Sequence, residues 1–290
     1  MRFLLLLALL AGGHAFAAQS SITEADGESC MGEDKSRKQT EQVALKSAKR
    51  MAVEYTSSHI SSTTIVENFE LKNDLVEAFA HAEVRLLDIL EKNWTQNGPV
   101  DLCVKLRIKA EVIPAAAPMQ RVETGEMKMD PRLPLNVELW VNSGEGAFVE
   151  GDKMKVFLRG NKPFYARLVY VDAKGNNIQL LPNQHRRDNY FQGGTMFEVP
   201  TGEDRFELTV TEPFGEEKLI LYASTEQLGN IDMTPVGRDV YLVNDGIEQV
   251  AAKTRGIEIG IKDSNMSRPG VAEFAEADLT ITTGPRADAL

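Results

Sequence analysis

The chain has 290 residues, 42% of them hydrophobic, and a formal net charge of −11. That composition excludes a disordered chain, and at roughly 150 residues per domain the length suits two domains. An acidic protein repels phosphate backbones and anionic headgroups, so neither nucleic acid nor an anionic membrane surface is expected as a partner.

Residues 1–18, MRFLLLLALLAGGHAFAA, have the layout of a secretory signal peptide. Arg2 supplies the positive start, Phe3 to Ala11 the apolar run, and Ala15-Phe16-Ala17 the small-x-small cleavage box. The run is far short of the ~20 residues that span a bilayer, so it reads as an export signal cut after Ala17 or Ala18. No cysteine stands at the cut, so no lipid anchor is expected, and no later segment has the length of a membrane helix. The expected location is periplasmic or secreted.

Residues 22–31 read as a first strand. Glu24, Asp26 and Glu28 alternate along it and would share one face. Such a row could bind Ca²⁺, but calcium-hand spacing is absent and a solvated acidic face is the expected state. Glu33 to Ser58 reads as a helix with Asp34 as a cap near its start. Ala44, Ala48, Met51, Ala52 and Tyr55 form one apolar stripe, and its alanines predict a close approach to a sheet. Ile60–Leu71, rich in Ser, Thr and Val, suits a strand, and Asn73-Asp74 then opens a short helix. Glu83–Trp94 fits strand or helix. A strand is favoured because the turn Thr95–Pro99 and a clean strand over 100–112 follow, which makes an antiparallel hairpin.

In that last strand Leu102, Val104, Leu106, Ile108, Ala110 and Val112 alternate onto one face. Cys103 shares the other face with Lys105, Arg107 and Lys109, where packing gives it little reason to be. An even cysteine count in an exported chain points to a Cys30–Cys103 disulfide. The alternatives are two free thiols, or a zinc site that would need further ligands. Residues 19–113 thus read as a small α+β domain, a helix on an antiparallel sheet. Residues 114–134, with prolines, adjacent alanines and no period, read as a linker.

From residue 135 the chain reads as short strands. LNVELWVN alternates, and GDKMKVFLRG places Met154, Val156 and Leu158 on one face. FYARLVYVDAKGNNIQLL reads as a hairpin turning at Asp172–Asn176. TMFEVP, DRFELTV and KLILYAS follow, then a helix over 246–254 and a last strand at ADLTITT that returns to the sheet. Residues 135–290 are therefore expected to form an all-β sandwich with one late helix.

Two resemblances add to this. Residues 22–113 resemble the N-terminal domain of flagellar assembly protein T and related small envelope lipoprotein domains. The matching features are an acidic, Gly-containing first strand, alanines at 44 and 48, a Thr/Val strand with Asn-Phe, and a closing strand ending Lys-Ala-Glu-Val. The resemblance implies an α+β envelope domain that mediates protein contacts. Residues 145–225 resemble a bacterial domain of unknown function. The shared series is Glu150-Gly151-Asp152, Tyr165–Asp172, Gly175, Leu180-Leu181-Pro182-Asn183, Gly193-Gly194-Thr195, Val199-Pro200, Glu212–Gly215 and LILYAS. It implies an immunoglobulin-like β-sandwich and no assigned activity.

Chemistry-bearing motifs are sparse. His59, His81 and His185 lack metal-ligand spacing, and HExxH, GxSxG and phosphate-loop patterns are absent. No cofactor and no metal are expected. Trp94 and Trp140 fall in predicted strands and read as core. Asn93-Trp94-Thr95 and Asn265-Met266-Ser267 match the glycosylation sequon by accident of pattern. The best surface candidate is the loop Asn183 to Phe191, with Asn183, His185, Arg186, Arg187 and Tyr190 as its contact residues. It is cationic on an acidic protein and carries Arg and Tyr, the residue types that anchor interfaces. The expected function is that of a non-enzymatic exported envelope protein acting through contacts with an envelope or periplasmic protein, in assembly or scaffolding. The alternative is a binding protein or hydrolase for a small envelope ligand such as a glycan; a deep pocket with convergent acids, or a His–carboxylate pair, would count against the non-enzymatic reading and for this one.

Overall fold

The computed structural model describes residues 18–64, 69–97, 101–123, 129–236, 240–257 and 270–287. Signal residues 1–17, Gly98 and Pro99 of the expected turn, and the Asn265 sequon lie outside these ranges.

The chain opens with β1 (Ala18–Cys30), α1 (Arg37–Thr63), α2 (Phe69–Ala80), β2 (Glu83–Asn97) and β3 (Asp101–Ile113). β1 and β2 flank β3, both antiparallel to it, so the expected hairpin is present. Val104, Leu106, Ile108, Ala110 and Val112 of β3 are buried on the face that meets α1. α1 buries Thr40, Ala44, Ala48, Ala52, Thr56 and Ile60, one residue per turn. The alanine stripe works with Gly27 of β1. A Cβ on Gly27 would collide with the Ala44 carbonyl oxygen and the Ala48 amide. Helix and strand are therefore in backbone contact.

Three sequence expectations fail here. The cap is Ser36, not Asp34, in a reciprocal box with Gln39. Gln39 N–H donates to Ser36 Oγ at 3.3 Å and Ser36 N–H to Gln39 Oε1 at 2.8 Å. Ile60–Thr63, expected in a strand, form the last turn of α1. Ile60 completes the buried ladder, and the hydroxyls of Ser62 and Thr63 donate to the His59 carbonyl at 2.7 and 2.9 Å. Those bonds give strand-favouring residues a helical solution. α2 likewise begins at Phe69 rather than Asn73. The ends of the Thr/Val segment that entered the resemblance to flagellar assembly protein T are thus helical at Ile60–Thr63 and from Phe69, while residues 65–68 lie outside the described residues.

On the opposite face of β1 and β3, the register sets Glu24 against Lys109, Asp26 against Arg107 and Glu28 against Lys105. The acidic row stays open to solvent, as expected, and is one half of a cross-strand charge ladder; Arg107 Nε donates to Asp26 Oδ1 at 3.1 Å. Cys30 stands opposite Cys103 on this face, and the two form a disulfide.

The stretch expected as a bare linker contains α3 (Ala116–Glu123). Pro118 falls in its first turn, where a missing N–H costs nothing. Met119 and Val122 are buried in the core shared with α2, and Arg121 bonds Asp74 and Glu77 of α2. Further on, buried Asn161 ties down the entry to the β-rich part. Its Nδ2 donates to the carbonyls of Asp130 and Pro134, and its Oδ1 accepts from Asn136 N–H.

Then come β4 (Val137–Val141), β5 (Ala147–Val149), β6 (Lys153–Met154), β7 (Val156–Gly160), β8 (Phe164–Val171), β9 (Asn177–Leu181), β10 (Tyr190–Phe191), β11 (Phe197–Val199), β12 (Leu208–Thr209), β13 (Glu216–Ser224), β14 (Met233–Val236), β15 (Val240–Val243), α4 (Ile247–Thr254) and β16 (Val271–Gly284). The β8–β9 hairpin turns as expected. Asp172 Oδ1 accepts from the amides of Lys174 and Asn176, and Gly175 takes φ 81°.

β16 pairs with β13 on one side and β1 on the other. One sheet, β14-β15-β9-β8-β13-β16-β1-β3-β2, thus runs under both halves of the molecule. One face of it carries α1, α2 and α3 over β1–β3, and the three-stranded sheet β11-β7-β4 over β8, β13 and β16. Val156, Leu158, Phe164, Leu168, Leu219, Leu221 and Ile281 fill the space between the two sheets. The other face packs Ile22, Tyr222 and Phe274 under Val250 of α4. The expected fold class is present: a helix-on-sheet part followed by a β-sandwich with one late helix.

Candidate functional site

The candidate loop is a built structure. Asn183 is buried: its Nδ2 donates to the Leu180 carbonyl, and its Oδ1 accepts from the amides of His185 and Arg186, all at 2.8 Å. The expectation that Asn183 touches a partner is therefore corrected; its side chain is spent inside the loop. Arg186 is also internal. Its guanidinium lies 5.2 Å over the Phe191 ring and 3.6 Å from Asp204. Asn189 adds the loop to the β8 edge, its carbonyl accepting from Ala166 N–H at 2.8 Å. What remains outward is His185, whose ring stacks near Phe206 at 6.1 Å, Arg187, and Tyr190. Arg187 makes no ion pair or hydrogen bond among the described residues. Tyr190 is 42% exposed and packs its ring 5.0 Å from that of Tyr165 across the strand pair. The loop thus presents a cation and a two-tyrosine platform on a rigid base.

Neither tryptophan is fully buried, though Trp94 packs against the buried cluster of Ala44, Val104 and Leu106. Trp94 is half-buried under the Arg37 guanidinium, 5.5 Å away, and Trp140 is half-buried and stacked on Phe157 at 5.7 Å. His81, just past the end of α2, holds its Nδ1 3.1 Å from the Glu77 carbonyl of that helix.

His59 makes a contact that the sequence did not reveal. Its Nε2 lies 3.4 Å from Oε1 of Glu273 on β16, and Glu273 is 4% exposed. Lys162, in the β7–β8 turn, donates to both Glu273 oxygens at 3.1 and 2.8 Å, and Leu135 N–H donates to Oε2 at 2.6 Å. Burial pushes the Glu273 carboxyl up, but His59 and Lys162 outweigh it and hold the group below its ordinary value. The carboxylate joins α1, the β4 entry and the β7–β8 turn where the helix layer meets the small sheet. The one sequence signal for it was an acid at an inward strand position, between the buried residues Ala272 and Phe274.

On the other face, Arg255 donates to Glu111 at 2.8 Å and Glu276 at 2.6 Å and lies 4.7 Å over the Phe274 ring. It fastens the end of α4 to the sheet. Among the described residues no group of three or more His, Cys, Asp and Glu is placed to hold a metal ion, and no helix is long and apolar enough to cross a membrane.

No curated protein matches the chain. A crystal structure of a DUF4785 family protein from Legionella pneumophila subsp. pneumophila str. Philadelphia 1 is similar at 9% identity and a TM-score of 0.25, over 95% of this chain and 75% of that one. A likeness that low carries no argument about fold or function. Residues 147–227 match the model of a domain of unknown function, DUF4384, over the stretch whose motifs carry the second resemblance.

Proposed function

We propose that the protein is exported to the bacterial envelope, periplasmic or secreted, and that it works without catalysis, through protein contacts made by the loop 183–191. The observation that carries this is the pre-organised outward set Arg187, Tyr190 and Tyr165 on a base fixed by Asn183 and Arg186. Tyrosine rings packed on each other lose little entropy on binding, and tyrosine and arginine are the residue types that anchor interfaces. An unpaired cation on an acidic protein suits a partner surface that presents carboxylates. Export is supported by the signal layout of residues 1–18 and by the Cys30–Cys103 disulfide, which persists in oxidising compartments. The resemblance of residues 22–113 to an envelope domain points the same way and suggests assembly or scaffolding.

A photo-crosslinking residue at Tyr190 of the exported protein tests the reading. It should label a discrete envelope protein, and Arg187→Glu should weaken the labelling. Label at position 190 no stronger than at Lys46, on the outer side of α1, would end the proposal.

The alternative, a hydrolase or binding protein for a small envelope ligand such as a glycan, has the His59–Glu273 pair in its favour. In that reading His59 would be a general base oriented by Glu273. Both Glu273 oxygens already accept from Lys162 and one from Leu135 N–H, which suits a joint better than a catalytic dyad. Glycan hydrolysis that His59→Ala abolishes in a folded protein would establish the alternative.

A further inference from the structure

The last turns of α1 and the length of α2 enclose a cavity of about 100 Å³. Its floor is Ile60, Leu75 and Phe79, each 3% exposed, and its rim includes Val76, Ser61 and Lys72. Val76 is 54% exposed, so apolar surface continues from the floor to solvent. Lys72 is the one charged side chain among the described lining residues, and it makes no ion pair or hydrogen bond among the described residues. The neighbouring cation Arg121, by contrast, is committed to Asp74 and Glu77.

An apolar cavity of roughly 150 Å³ holds a benzene, six carbons, so this one holds about four, the size of a leucine side chain. A leucine-sized group entering it removes apolar surface from water on both partners. An unpaired ammonium at the mouth selects what stands next to that group. We infer that the α1–α2 cavity is an anchor pocket for a protein partner presenting a leucine-sized apolar side chain directly beside a carboxylate. This rests on the reading of the protein as one that works by contacts, but it uses a different surface from the loop 183–191 and stands or falls separately.

The test uses the mature full-length chain, labelled at the methyl groups of Ile, Leu and Val, with N-acetyl-leucine as the probe. The acid should shift the methyl signals of Ile60, Leu75 and Val76 saturably. N-acetyl-leucinamide, with the same side chain and no charge, should bind more weakly, by up to about fivefold for one exposed ion pair. N-acetyl-alanine, with the charge and no side chain to fill the cavity, should leave these signals in place. Lys72→Gln should bring the acid down to the affinity of the amide while leaving the amide unchanged, and Lys72 is exposed, so the fold tolerates the change. Equal binding of acid and amide would overturn the role of Lys72. Absence of any saturable shift at these methyls, or shifts of equal size with N-acetyl-alanine, would overturn the pocket. A straight-chain acid such as hexanoate binding more tightly than N-acetyl-leucine would replace the protein anchor with a free acid as the occupant. In each of these cases the cross-linking at Tyr190 is untouched.

Discussion

Glu273→Gln keeps the shape of the side chain and removes its charge. Three donors converge on the carboxylate: Leu135 N–H at 2.6 Å, the Lys162 ammonium at 2.8 Å and the His59 ring at 3.4 Å. A glutamine offers one oxygen to these three and turns its own amide hydrogens toward the others, donor against donor. With the side chain buried, neither conflict can be relieved by water, and the expected cost is about 3 kcal/mol at neutral pH. At roughly 2–4 °C per kcal/mol for a chain of this size, the midpoint of thermal unfolding falls by about 6–12 °C. The pH dependence has a definite sign. The folded carboxyl sits below its ordinary value, so the contribution is fully present above the unfolded value, about 4.3, and is lost as pH falls through the folded value. Thermal unfolding followed by circular dichroism should therefore show the full gap between parent and variant at about pH 7 and a narrowed gap by about pH 3. A variant as stable as the parent at neutral pH, or a gap that does not change on acidification, would refute the joint. His59→Ala should cost less than ~1 kcal/mol, because the imidazole is partly in water and Lys162 remains.

Gly27→Ala drives a methyl into the backbone of α1 at Ala44 and Ala48 and should cost about 2 kcal/mol or more, read from the urea midpoint. Replacing Cys30 and Cys103 together by serine opens a loop of 73 residues and should lower stability by about 4 kcal/mol on the chain-entropy account; the reduced parent should match the variant. Asn183→Ala strips the His185 and Arg186 amides and the Leu180 carbonyl of their partner. It should cost about 2–3 kcal/mol, speed hydrogen exchange at residues 185 and 186, and weaken cross-linking from Tyr190 without touching that residue.

Local pattern carried much of the fold. The alternation in β3 marked its buried face residue by residue. The alanines at 44, 48 and 52 told how closely α1 would lie, although the sequence did not single out Gly27 as the residue beneath them. The β8–β9 hairpin followed from Asp172 and Gly175. Local pattern misled at Ile60–Thr63, where β-branching argued strand and a buried ladder on one helix face decided otherwise. It also misled at Ala116–Glu123, where four prolines in the surrounding stretch hid a two-turn helix held by Met119 and Val122. At the candidate loop, composition singled out a segment but did not tell its inside from its outside: Asn183 and Arg186 turn inward through bonds that no spacing announces. The Glu273 joint was illegible because its parts come from α1, the β7–β8 turn and β16, and only the paired strands bring them together.

β16 lies between β13 and β1, hydrogen-bonded to both. In a chain made from its N-terminus, β1 emerges before β16, which follows every other strand described. Until β16 arrives, β1 has one unmet edge, and so does β13, while Glu273 is not yet available to Lys162 and His59. The helix-on-sheet part and the sandwich can each gather locally, but the two cannot be joined into one sheet before this strand is in place. Completion of the fold is thus tied to residues 271–284, and a chain cut before residue 271 presents two open strand edges instead of one continuous sheet.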